Sequence, residues 1–189
     1  MKYVSRRSFL AGAAASGALP LFNIGCAGFG QGRARRIAQG AKIRVALIGC
    51  GARMRTLVEL LMSENVVALV DPDPRMIASI KKQMARVPEA GDLSKVRVFF
   101  DYRELFEKMG DEVAAAVIAT PNHHHAPAAL MAMRRGIHVF VEKPLASTVE
   151  EVQLMGRVAR ETGVVTNVGN FGHSTKAMRI CVDAIRSGV

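Results

Sequence analysis

The chain has 189 residues, half of them hydrophobic, which gives room for one ordinary domain with a real core and argues against disorder beyond the ends. Its formal charge is +10, but residues 1–40 hold six basic side chains and no acid, and the rest sets the other 20 Lys and Arg against all 16 Asp and Glu. With two Tyr, no Trp and no basic stripe interleaved with aromatics, the composition speaks against nucleic-acid binding.

The basic N-terminus has its own explanation. Ser5-Arg6-Arg7-Ser8-Phe9-Leu10 followed by the weakly apolar run Ala11–Phe22 fits the charged and apolar parts of a cleaved export signal, and the paired arginines resemble the twin-arginine (Tat) type. The apolar run is too short for a stable membrane span of about 20 residues. Residues 1–27 are read as the signal, with cleavage after Ala27 and a periplasmic or exported product. Asn23 stands where lipid-attachment signals usually have Leu, which argues against Cys26 as a lipoprotein anchor. Tat signals carry folded proteins, so any cofactor bound by the fold would be loaded before export. Residues 28–41 read as a linker without structure. Beyond Cys26 only Cys50 and Cys181 remain, with no CxxC pair, disulfide framework or metal site.

The organising stretch is Ile43–Met54, IRVALIGCGARM. Its apolar run suits a parallel strand buried on both faces, and Gly49 and Gly51 let the backbone turn tightly against a ligand. A helix start behind them offers unpaired N–H groups and a positive dipole end to a phosphate. Helical spacing continues over Ala52–Ser63. Val66–Val70 is a second strand, and Asp73-Pro74 reads as an N-cap with Pro at the first position of a helix to about Arg86. Residues 87–94 are a loop, Val96–Phe100 a third strand, and Asp101-x-x-Glu104 has capping-box spacing for a helix to Met109. Val113–Ala119 is a fourth strand. The next helix, with Ala126, Ala129, Leu130 and Met133 on one face, is ended by Gly136. Ile137–Val141 is a fifth strand, Ser147-x-x-Glu150 caps a helix that Gly163 stops, Val164–Val168 is a sixth strand, and Thr175–Ser187 is a last helix.

Strand and helix alternate with short connections, which predicts an α/β fold, a Rossmann-type doubly wound parallel sheet. In such sheets the ligand lies beyond the carboxyl ends of the strands. The residues just after each strand are therefore the candidates: Gly49–Gly51, Asp71, Thr120–His125, Glu142–Pro144 and Asn170–His173. Asp71 follows Gly49 by 22 residues, near the roughly 20 expected for an acid on the ribose hydroxyls. A carboxylate there accepts from a 2′-OH and repels a 2′-phosphate, which favours NAD over NADP. Asn122-His123-His124-His125 invites a metal reading, yet adjacent side chains at a helix start diverge and cannot close one coordination shell. Asn122 is open between a helix cap and a ligand contact. Lys143, between an acid and a Pro that pins the backbone, is either half of a structural salt bridge or a fixed cation that polarises a substrate hydroxyl or relays its proton.

These residues resemble the Gfo/Idh/MocA oxidoreductases over about residues 42–189, through GCGAR, the strand ending in Asp71, ATPNHHHAPAAL, GIHVFVEKPLA and VGNFGHS in that order. The resemblance implies an NAD(P)-binding Rossmann domain over residues 42–168 and hydride exchange with a sugar, polyol or related carbohydrate-like small molecule. It implies cofactor contacts from Gly49, Cys50, Gly51, Ala52, Arg53, Asp71, Thr120, Pro121, Asn122, His123, His125, Glu142, Lys143 and Pro144. Glu142 and Lys143 would work near the nicotinamide ribose and the substrate, with Lys143 catalytic. Exported members with Tat signals exist in the family.

Two departures stand out. Met54 replaces the third Gly of the fingerprint, so helix and strand should pack less closely there. The α+β substrate domain, with its acid/base His or Asp, is expected to be essentially missing, residues 169–189 being its start. Self-association would form through that domain, and the present chain alone is expected to be inactive. Two other readings stay open: an NAD-dependent glycosidase of the same family, which the intact Glu142-Lys143-Pro144 triplet disfavours, and a nucleotide-binding module without activity.

Overall fold

A computed structural model describes residues 32–88, 90–170 and 175–188. The predicted signal with Cys26, the candidates Phe171–His173 and the terminal Val189 lie outside the described residues. Six strands form one parallel sheet: β1 (Arg44–Ile48), β2 (Asn65–Val70), β3 (Arg97–Phe99), β4 (Ala115–Ile118), β5 (His138–Val141) and β6 (Thr166–Val168). Their spatial order is β3-β2-β1-β4-β5-β6, the doubly wound arrangement, with its switch point between β1 and β4.

The alternation of side chains along each strand divides the core in two. Ala46, Ile48, Ala68, Val70, Ala116, Ile118, Val139 and Val141 face α3 (Tyr102–Met109), α4 (His125–Met133) and α5 (Val149–Thr162). Val45, Leu47, Leu69 and Val117 face α1 (Ala52–Leu61) and α2 (Pro74–Met84). Fully buried side chains such as Leu47 and Ile118 each contribute about 1.5–3 kcal/mol relative to exposure. Met54, at the place of the missing third Gly, is wholly buried in the α1 side of this core. The last helix, α6 (Lys176–Ser187), buries no residue. Among the described residues no helix is long and apolar enough to cross a membrane.

Local signals fixed most boundaries, with four corrections. Asp73 caps α2 as expected, its side chain accepting the Arg75 N–H. Asp101 caps α3 through the Arg103 N–H, but Glu104 does not close a box, because its carboxylate turns to Lys108 one helical turn on. The capping box of α5 lies one residue beyond the predicted Ser147–Glu150: Thr148 accepts the Glu151 N–H, and the Glu151 carboxylate accepts from Thr148 N at 3.2 Å. Asn122 makes no side-chain cap bond; a 3-10 turn, Asn122–His124, leads into α4 instead.

The fourth correction concerns the predicted linker. Residues 32–38 form neither helix nor strand, yet they are strapped to the fold by main-chain bonds. Gly32 N donates to Arg134 O (2.9 Å), Ala34 N to Thr162 O (2.9 Å) and Arg35 N to Gly136 O (3.0 Å). Gly136, at φ +74°, lets this strap pass: a Cβ there would collide with the Arg33 carbonyl. His138 joins the strap to the sheet. Its Nε2 meets Arg35 O at 2.9 Å and its Nδ1 accepts from Val165 N at 3.0 Å, so the ring serves one acceptor and one donor as a single neutral tautomer.

Candidate functional site

The register brings the carboxyl ends of the central strands level, pairing Ile48 with Val70 and Ile118, Ile118 with Val141, and Val141 with Val168. The next residue in each case hydrogen-bonds back onto the neighbouring strand: Gly49 N to Val70 O (2.8 Å), Ala119 N to Ile48 O (2.8 Å), Glu142 N to Ile118 O (2.9 Å) and Gly169 N to Val141 O (2.7 Å). Side chains from five separate stretches of sequence thus meet along one ledge.

Two cavities open on this ledge and share Ala119 and Thr120 as a wall. The first, of about 600 Å³, is lined by Gly49, Gly51, Asp71, Thr120, Pro121 and His123 from the predicted set, together with Pro72, Phe100, Asp101, Tyr102, Arg103 and His124. The second, of about 440 Å³, is lined by Arg53, Thr120, Asn122, His125, Glu142 and Lys143, with Asn170. Cys50, Ala52 and Pro144 line neither.

At the first cavity, Gly49 has φ +86°, and a Cβ there would stand 2.7 Å from the Ala119 carbonyl carbon and oxygen. Only glycine lets β1 turn this close to β4. Gly51 precedes α1 with no side-chain cap and open space beside its Cα, so the first N–H groups of α1 are available to an anion. Asp71 accepts the Cys50 N–H at Oδ2 (2.7 Å) and the Asp73 N–H at Oδ1 (2.9 Å), bracing the glycine turn while each oxygen keeps a lone pair for the cavity. The Cys50 thiol is buried against this carboxylate, and burial first, then the Asp71 charge, pushes it up to about 12. It is a packed hydrophobe rather than a nucleophile.

The far wall of this cavity was not anticipated. Tyr102 and His124 meet edge to face at 5.9 Å between ring centroids, with Tyr102 Oη 3.3 Å from His124 Nδ1. Arg103 grips Asp101 through its Nε and Nη2 and holds that carboxyl below the usual range. The rule that points to residues after the other strands applies equally to β3, where Asp101 both caps α3 and lines the cavity.

At the second cavity, His125 is 1% exposed and is consumed by the scaffold. Its Nδ1 lies 2.5 Å from Pro144 O and its Nε2 2.8 Å from Thr120 O. Both partners are acceptors, so His125 ties the end of β4 to the Glu142–Pro144 turn and presents no free nitrogen to a nucleotide. That turn contains a cis Lys143–Pro144 peptide. Arg53, a candidate cofactor contact that lines this cavity, also reaches Glu142, with Nη2 2.8 Å from Oε1. Lys143 is exposed at the cavity mouth and has no ion-pair partner among the described residues. Thr120 Oγ1, at the shared wall, is buried without a hydrogen-bond partner. A buried hydroxyl in that state calls for a ligand's polar group. Together with the open helix start and the braced acid, it makes the residues present a fit for a dinucleotide laid across both cavities.

Comparison with known proteins agrees with this geometry. The profile of the Gfo/Idh/MocA group, described as an oxidoreductase family with an NAD-binding Rossmann fold, matches residues 43–170. A glycosyl hydrolase family 109 protein of Saccharopolyspora erythraea is 29% identical over 93% of this chain and 41% of its own length. A 1,5-anhydro-D-fructose reductase of Ensifer adhaerens is 41% identical over 43% of this chain and 25% of its own. The crystal structure of GenD2 from gentamicin A biosynthesis, in complex with NAD, superposes with a TM-score of 0.63 at 27% identity, covering 79% of this chain and 41% of that one. The chain thus spans well under half the length of the curated relatives it matches.

Proposed function

The chain belongs to the Gfo/Idh/MocA family of NAD-binding oxidoreductases, and we propose that it acts as the nucleotide-binding part of an exported, NAD-dependent dehydrogenase of a sugar, polyol or related carbohydrate-like substrate. The observation that carries this reading is the placement of the Lys143 ammonium, without an ion-pair partner among the described residues, in a cavity that shares a wall with the acid-bearing one. When bound, the nicotinamide supplies the acceptor or donor of a hydride. The chain's own work is to hold the nucleotide and manage a proton. The N–H groups at the start of α1 bind the pyrophosphate, Asp71 takes the ribose diol and repels a 2′-phosphate, and Thr120 Oγ1 gains a partner at the junction. Lys143 Nζ stands at the mouth of the second cavity, where it can polarise the substrate oxygen and hold or pass its proton. Export is supported by the paired arginines and short apolar run of residues 6–22.

A second reading, transient use of NAD within a glycosidase, is favoured by the Saccharopolyspora relative, whose match extends over most of this chain. One experiment separates them. The full-length protein that carries this chain is incubated with NAD and a panel of polyols and sugars, and separately with aryl glycosides. Net NADH formation, lost in Lys143→Ala, is expected; aryl glycoside hydrolysis without net NADH would favour the glycosidase, and NAD binding with neither would leave a bare binding module. Full turnover in Lys143→Ala would remove Lys143 from the mechanism.

A further inference from the structure

The Glu142 side chain is 4% exposed, and a carboxylate so buried is stable only when paired and hydrogen-bonded. Its surroundings come from three directions. Arg53 Nη2, from the first turn of α1, lies 2.8 Å from Oε1, while Arg53 Nη1 is steadied by Thr56 Oγ1 at 3.2 Å. The main-chain N–H of Lys143 itself donates to Oε2 at 3.3 Å. Below the carboxylate lies Gly169, at the end of β6, where a Cβ would stand 2.5 Å from Oε1 and 2.8 Å from Oε2. The Arg53 contact at Oε1 is an ion pair without hydrogen-bond alignment, so the side chain's hydrogen bond, at Oε2, comes from the residue that carries the cleft's ammonium, and the carboxylate joins α1, β5 and β6.

We propose that Arg53 is a positioning residue: through its ion pair with Glu142, seated over Gly169, it fixes the Glu142–Pro144 turn and with it the placement of Lys143 in the cleft. What Lys143 does there rests on the dehydrogenase reading; the geometry does not. An arginine in the first turn of this helix stands where a phosphate ligand would, but its charge is directed away to Glu142. A lysine can restore the charge and not the planar fork, so it should substitute only in part.

The test uses the full-length protein that carries this chain with Arg53→Gln, Arg53→Lys and Gly169→Ala, the last disturbing the same carboxylate from the opposite side. Three quantities are read: NAD affinity, turnover with the substrate found in the panel, and amide ¹H–¹⁵N shifts. Arg53→Gln and Gly169→Ala are expected to move the Glu142, Lys143 and Asn170 amides, to lower kcat about 100-fold through misplacement of the reacting group, and to leave the NAD Kd within about threefold. Arg53→Lys should recover part of the loss. A rise of about tenfold or more in the NAD Kd of Arg53→Gln with kcat unchanged would make Arg53 a phosphate ligand and overturn the proposal. So would a Lys143 amide unmoved by either variant. If the wild type fails to bind NAD or to turn over any panel member, the dehydrogenase reading falls, and the amide shifts still decide the role of Arg53.

Discussion

Replacing Asp71 by Asn separates the two jobs the structure gives this side chain. The carboxylate accepts the Cys50 N–H at 2.7 Å and the Asp73 N–H at 2.9 Å, one on each oxygen. An amide has a single carbonyl oxygen, so its NH₂ must face one of those donors, and one hydrogen bond to a charged acceptor is lost. Such a bond contributes about 1.5–3 kcal/mol. At about 2–4 °C per kcal/mol for a chain of this size, the melting temperature should fall by roughly 3–12 °C. The ribose diol loses the same kind of acceptor, so the NAD Kd should rise roughly tenfold to 150-fold. NADP should lose less, because the repulsion of its 2′-phosphate disappears with the charge. Calorimetric titration with both nucleotides, alongside thermal unfolding, reads all three numbers. A lowered melting temperature with an unchanged NAD Kd and an unchanged NAD to NADP ratio would show that Asp71 only braces the glycine turn, and the ribose assignment would have to be withdrawn.

Two further predictions concern the scaffold. Because the Cys50 thiol is pushed up to about 12 in the fold, the folded chain keeps a proton that the unfolded thiol releases near 8.5. Stability should therefore fall as pH rises from about 9 towards 12, by up to about 1.4 kcal/mol per pH unit, and Cys50→Ala should lack this component. Urea midpoints of the two proteins that run parallel across this range would refute it. Gly136→Ala should cost about 1–2 kcal/mol for its left-handed backbone and displace the strap from its Arg33 carbonyl contact. Deleting the strap up to residue 38 should destabilise as well, and in that deletion Gly136→Ala should cost only its left-handed backbone, so the combined loss should fall short of the sum of the two; fully additive losses in thermal unfolding would show that the strap is not what Gly136 accommodates.

The fold was legible because its signals are local and redundant. The central strands are short apolar runs, Asp73 precedes a Pro, and glycines stand after α4, α5 and α6, so element order and type followed from pattern alone. Where two neighbouring residues offer the same chemistry, local pattern did not choose: Ser147 and Thr148 both precede an acid by three, and only the seating of α5 selects Thr148 with Glu151. The strap was hidden because nothing in its polar, glycine-rich composition shows that its N–H groups will find carbonyls contributed by residues about 100 positions later. The site was half legible. The glycine turn, Asp71 and Lys143 could be placed on the ledge because they follow strand ends, whereas the contacts of His125 and Arg53 depend on what their ring and guanidinium touch across it.

The row of main-chain bonds that continues each strand by one residue also bears on how such a protein can change. Gly49, Ala119, Glu142 and Gly169 are held to their neighbours through N–H groups that every non-proline residue possesses. At Ala119 the ledge keeps its shape whatever side chain stands there, whereas at Glu142 the main-chain bond survives a change of side chain but the turn beyond it loses its carboxylate anchor. Gly49 and Gly169 are the fixed points of the ledge, because any Cβ meets the Ala119 backbone at one and the Glu142 carboxylate at the other. A lineage that altered Glu142 would at the same stroke release Gly169, and those two positions should therefore vary together.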